Sequence, residues 1–213
     1  MLQLLYKDIR VTRLYLLLFF PVVLASYFFH VNNLDIFMTI IIGYLILLFY
    51  YDYHNQVYKF IGSLPVKRTQ IVLARYLFLI LLLIGAFTYI GIIDYFVLHH
   101  LNFLGDFRNQ TINDVLKNFT ITAILIAIYT PIFYLVKNFI YGITVFMIVH
   151  FLLVFTYNMI LFNDFITIDD KLLSTLFTII NIQPVAILLI ISAVSLFISF
   201  LISVRISYKK DIL

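Results

Sequence analysis

Cysteine is absent from the 213 residues, which excludes disulfides, thiolate metal sites and a cysteine nucleophile. Tryptophan is absent too, so tyrosine is left to supply interfacial aromatics. Glutamate does not occur; all ten acids are aspartates. That removes the H-E-x-x-H pattern and the paired glutamates of a metal-dependent protease. No segment reads GxxxxGK[ST], so the chain holds no P-loop for ATP. Gly62-Ser63-Leu64 is not the G-x-S context of an intramembrane serine protease, and an aspartyl protease would need two aspartates inside spans, where only Asp94 is a candidate. Charge is scarce as well, at 11% of residues, against about 25% in an ordinary soluble domain.

What is present is apolar: 64% of the chain, with a mean hydropathy of +1.11. So few charges cannot cover a soluble fold of this length, and the composition points to an all-α integral membrane protein. The pI near 9.2 needs no nucleic acid, because basic residues of membrane proteins gather on the cytoplasmic side.

A crossing helix needs about 20 apolar residues. Six crossings are expected, at about 14–31, 36–53, 76–98, 115–136, 139–162 and 184–204. With the N-terminus inside, Lys7, Arg10, Arg13, Lys59, Lys67, Arg68, Arg75, Lys137, Arg205, Lys209 and Lys210 fall on the inner side, leaving Arg108, Lys117 and Lys171 outside. Both termini are therefore expected in the cytoplasm. The basic start, the apolar run from Leu14 and Val23-Leu24-Ala25 have the look of a signal peptide; the segment is read as the first span, with Pro21 as a kink.

Residues 1–13 put Leu2, Leu5, Tyr6 and Ile9 on one helical face and Gln3, Lys7 and Arg10 on another. This pattern predicts an amphipathic elbow helix lying in the inner headgroup layer. Within the outer segment 163–183, the run 172–182 is apolar but too short to cross, and predicts a re-entrant helical hairpin before the last span. Asp94 reads either as a cavity-lining group or as an interfacial residue. His150, midway along the fifth span with Tyr157 on its face, reads equally as a translocation-path group or a helix-packing group. Ser192, Ser195, Ser199 and Ser203 form a small-residue stripe suited to close helix packing, and Gly85, Gly91 and Gly142 fit the same use.

The segment 54–75 interrupts the apolar pattern. The helix of the second span is expected to run on through YDYHNQVYKFI to a C-cap near Gly62. Ser63 then caps the next helix, and Pro65 sits in its first turn. A basic loop could merely hold anionic lipid, but a stiff turn suits a docking surface better.

SLPVKRTQIVLARYL (63–77), preceded by YKFIG, resembles the segment after the second span of small bacterial ABC-2-type transporter permeases. The six spans, the elbow and the hairpin before the last span fit the same family in layout. Within it, the chain is most similar to small permeases of Gram-positive exporters of amphipathic peptides, such as the staphylococcal phenol-soluble modulin exporter. The resemblance implies a multi-pass cell-membrane permease that pairs with a second copy or a sister permease. Two ABC ATP-binding subunits would dock below and carry ATP and Mg, so this chain would hold no cofactor and would not itself be an enzyme. It also implies that Tyr58, Lys59, Phe60, Ile61 and Gly62 dock on the ATPase, that Ser63, Leu64 and Pro65 form the turn, and that Lys67 and Arg68 follow it. The translocation path would run along the first, second and fifth spans, with His150, Tyr157 and Asp94 as candidate path residues. The rival reading is a stand-alone channel, carrier or assembly factor; a carrier would want ion-coupling carboxylates in mid-membrane.

Overall fold

A computed structural model describes residues 2–28, 33–57, 67–100, 112–136, 138–162 and 183–209. They form six helices: α1 Leu2–Phe28, α2 Asn33–His54, α3 Arg68–His100, α4 Ile112–Leu135, α5 Phe139–Phe162 and α6 Pro184–Lys209. No strand occurs among the described residues. In hydrocarbon each backbone group must find its partner within its own segment, and helices achieve this. Four helices contain segments long and apolar enough to cross a bilayer: Arg68–Ile93, Asn113–Leu135, Phe139–Thr156 and Pro184–Lys209. Met38–His54 of α2 is apolar but shorter, and α1 carries Lys7, Asp8, Arg10 and Arg13 in its first half.

Local chemistry accounts for several helix ends. Asn138 caps α5, its Oδ1 accepting the Ile140 N–H at 3.0 Å. Pro184 opens α6, where its missing N–H costs nothing. Asp114 stands in the first turn of α4, where a negative charge suits the helix dipole.

Three expectations are corrected. First, α1 does not break near residue 13. It runs unbroken from Leu2 through Pro21 to Phe28. The reason lies on a side of the helix outside both expected faces: Asp8 and Thr12 are buried against the bundle, and Thr12 Oγ1 shares a hydrogen bond with Tyr44 Oη of α2. Of the expected apolar face, Tyr6 and Ile9 are exposed and Leu5 is half-buried; Gln3 and Arg10 of the expected polar face are exposed as well. Second, α2 stops at His54 rather than continuing to Gly62. Gln56 turns left-handed (φ 50°) and its N–H closes on the Tyr53 carbonyl at 3.1 Å, which ends the helical ladder. Third, α3 begins at Arg68, with Lys67 outside the helix and its carbonyl accepting the Gln70 N–H at 2.9 Å. The expected re-entrant run 172–182 lies outside the described residues.

α4 and α6 make the most extensive helix pair. Ser192, Ser199 and Ser203 are buried along it. Ser199 Oγ donates to the Ala127 carbonyl of α4 at 2.5 Å, and Tyr76 Oη of α3 lies 2.6 Å from Ser199 Oγ and 2.8 Å from Ser203 Oγ. The serine stripe thus lets backbones approach and joins three helices through hydroxyls. Gly142 also packs closely, since a Cβ there would stand 3.4 Å from Phe133. Gly85 and Gly91 do not: a Cβ on either would meet nothing within 4 Å. Ser199→Leu is expected to force α6 off α4 and destabilise the protein by about 1–3 kcal/mol, the usual penalty of overpacking. Thermal unfolding in detergent checks this; an unchanged midpoint would refute the close contact.

Candidate functional site: an ionic cluster flanking the connection between α2 and α3

α1 starts, α2 ends and α3 starts at the same end of the bundle, and four charged side chains meet there. Lys7 Nζ lies 2.8 Å from Asp52 Oδ1 and 3.1 Å from Asp8 Oδ1. Arg75 Nη2 pairs with Asp52 Oδ2, and Arg75 Nη1 stands 3.5 Å from Asp8 Oδ1. Asp8, Asp52 and Arg75 are only 3%, 4% and 6% exposed, and the Lys7 side chain 26%. Two cations and two anions make the cluster neutral.

Burial of charge is tolerable only with such pairing. Asp52 has a further need for it. The residue lies in the last turn of α2, where the helix dipole opposes a negative charge. Lys7 and Arg75 offset that field. The Arg75 guanidinium also sits 5.3 Å from the centre of the Phe49 ring, a cation–π contact. Phe49 in turn stacks on Phe133 of α4 (4.8 Å, 11°) and meets Tyr134 edge-on. The cluster is therefore held by four helices.

Its place along the chain gives it meaning. Asp52 precedes the connection between α2 and α3, and Arg75 follows it. Their ion pair closes that stretch like a clasp, and Lys7 and Asp8 fasten the clasp to α1. The far flank has a second tie: Arg68 Nη1 donates to the carbonyls of Ser207 (2.9 Å) and Tyr208 (3.2 Å) in the last turn of α6. These carbonyls have no partner within the helix, so Arg68 caps α6 from outside. Lys67 is exposed. Tyr58, Lys59, Phe60, Ile61, Gly62, Ser63, Leu64 and Pro65 lie outside the described residues.

The three candidate path residues are not brought together by any described contact. His150 Nδ1 lies 2.7 Å from the hydroxyl of Tyr129 on α4, and its ring stacks on Phe146 of its own helix. That geometry is a helix–helix contact. The side chains of Tyr157 and Asp94 lie outside the described residues. Among the described residues no three His, Asp or Glu side chains gather as a metal site would need.

Asp8 and Asp52 are the two members of the cluster that the sequence reading did not single out. A signal was available. Seven of the ten aspartates lie in or near expected outer segments, so an acid among the inner cations is an exception that asks for a partner.

The family described as ABC-2 family transporter protein matches residues 3–210, nearly the whole chain. No curated protein matches, and no solved structure does. The match therefore carries the family and its general role, with a partner ATP-binding subunit implied, and no finer kinship with a peptide exporter. A match of that extent, on an all-helical chain with four long apolar helices, means that this protein belongs to the ABC-2 transporter family and is a multi-pass membrane permease, the non-catalytic membrane subunit of an ABC transporter.

Proposed function

We propose that this permease serves an exporter of amphipathic or hydrophobic peptides, with ATP hydrolysed on a partner subunit that docks at the connection between α2 and α3. The observation that carries the reading is the buried Asp52–Arg75 pair closing that connection. A partner pressing on residues 58–64 would move a stretch whose flanks are fixed to α1, α2 and α6. A loop with free flanks would absorb the push; a clasped one passes it to the helices as rigid-body rotation. Pro65, Lys67 and Arg68 complete the stretch.

The orientation follows the basic residues, eleven of fourteen of which fall in the segments expected on the inner side, Lys7 and Arg75 of the cluster among them; both termini then face the cytoplasm. A second permease, identical or sister, fits the uneven cover of the helices. Half of the most apolar window of α4 is buried, but only 11% of that of α5. On this reading the substrate passes along α1, α2 and α5 at the interface of two permeases, with His150, Tyr157 and Asp94 as candidate path groups.

Inside-out vesicles holding the permease and its ATPase provide the test. ATP is expected to drive uptake of amphipathic helical peptides, and those peptides to raise ATP hydrolysis several-fold. Hydrolysis indifferent to every peptide would overturn the substrate class. Uptake without nucleotide would overturn the ATP-driven reading in favour of a stand-alone carrier or channel.

A further inference from the structure

We propose that the crevice between α1, α2 and α3 binds one acyl chain of an anionic phospholipid, whose phosphate is held by Arg10 and Arg13. This goes beyond the transport reading and rests on it only for which leaflet supplies the lipid. The crevice has a volume of about 620 Å³, within the usual range of small-ligand sites. Its walls are Leu, Ile, Phe, Ala, Gly and Tyr, with Ile9 and Leu16 on one side, Ile41 on the floor and Leu82 and Gly85 opposite. No charged residue lines it, which rules out a polar ligand and suits a hydrocarbon chain.

The dimensions fit one leaflet. On α3 the lining runs from Phe78 to Tyr89, roughly 16 Å of helix, against about 15 Å for half of the hydrocarbon core. One end is closed: Tyr89 Oη donates to the Phe20 carbonyl at 3.3 Å, and the two rings meet edge to face at 4.8 Å. The other end, toward the ionic cluster, is where Tyr6 and Ile9 are exposed, at 65% and 46%.

Arg10 follows Tyr6 by four residues on α1, so it shares the face of that open end. Arg13 follows Ile9 by four residues and precedes Leu16 by three, so it shares their face. Both arginines are exposed, and neither has an ion-pair partner among the described residues. Lys7 and Arg75 are already neutralised by Asp8 and Asp52. The surplus positive charge at this end of α1 is therefore Arg10 and Arg13. Moving an acyl chain from bulk lipid into an apolar groove gains little, because both environments are apolar. Selection must then come from the headgroup, at about fivefold for each arginine near the membrane surface.

The test uses the full chain in phosphatidylcholine nanodiscs doped with phosphatidylglycerol or phosphatidylcholine bearing a photoreactive acyl chain. Phosphatidylglycerol is expected to label Ile9, Leu16 and Leu82, in preference to phosphatidylcholine by about 25-fold, two arginines at about fivefold each. Arg10→Ala with Arg13→Ala should erase the preference. Gly85→Leu should block labelling in the groove without altering thermal stability, because its side chain enters open space. Equal labelling by the two lipids, or a preference that survives loss of both arginines, would overturn the proposal. So would cross-linking of a reporter at Ile9 to a second permease, which would make the groove a protein interface. None of these readouts involves ATP or transport, so failure here and failure of the export reading are separate results.

Discussion

Arg75→Ala is expected to lower the stability of the permease by about 3–5 kcal/mol, the range for removing one partner of a buried ion pair. The guanidinium meets both aspartates and the Phe49 ring. Without it, Lys7 faces Asp8 and Asp52 alone, and the nearly dry cluster carries a net negative charge at the C-terminal end of α2, where the dipole is already unfavourable. The prediction is about an orphaned charge rather than about the net worth of a salt bridge, which is often near zero. A neutral pair separates the two. Arg75→Gln combined with Asp52→Asn leaves Lys7 facing Asp8, removes the imbalance and should recover much of the loss. Thermal unfolding in detergent reads both variants. A single Arg75→Ala protein as stable as its parent would mean that water reaches the cluster, and the clasp would have no basis.

The two variants also differ in what they do to coupling. The neutral pair is expected to fold and yet to transmit poorly, because an amide contact lacks the charge-assisted hydrogen bond between Arg75 Nη2 and Asp52 Oδ2. In the complex with its ATPase, hydrolysis should continue while peptide uptake falls. That pattern belongs to a transmitting element. An element that only held the fold together would lose both activities in step with stability.

The helices were legible in the sequence for a simple reason: long apolar runs and their breaks are local. α5 has the bounds 139–162 expected of it because Asn138 supplies a cap whose chemistry depends on its immediate neighbours. α6 begins at Pro184 on the same kind of cue. The end of α2 was misjudged because Gly62 is the stronger C-cap by type, whereas the chain turns at Gln56, a residue of no special left-handed preference. The elbow was misjudged for a different cause. Charge counting treats every Lys and Arg as a solvated marker of the inner side. Lys7 and Arg75 were counted in that way, yet both are engaged by aspartates 45 and 23 residues from them in the chain. Asp8 and Thr12 meet buried partners and turn their side of the helix inward, and the hydrophobic pattern of residues 1–13 alone is silent about partners. The site was half visible for the same reason: its flanks could be located from the Gly-Ser-Leu-Pro sequence, but its clasp is a long-range pairing that spacing does not encode.

Changing Phe60, Ile61 and Leu64 together to Asp is expected to release the ATP-binding subunit altogether. If these three side chains are the apolar part of the docking surface, each contributes about 1.5 kcal/mol or more on burial, and their joint loss weakens binding by over a thousandfold. Carboxylates in their place would also have to be buried unpaired, which adds to the loss. Co-purification of the ATPase with a tagged permease measures this directly, and retention of the ATPase by the triple variant would remove the docking assignment. The comparison with the cluster variants carries the stronger argument. The triple variant should lose the partner and keep a stable helical bundle, since the substitutions lie in the connection between Asp52 and Arg75 and leave the core residues of the helices, such as Leu45, Leu83 and Ile126, unaltered. The Arg75→Gln, Asp52→Asn protein should keep the partner and lose coupled transport. If both changes instead release the ATPase, the cluster is part of the docking surface itself, and the separation of docking from transmission along this connection fails.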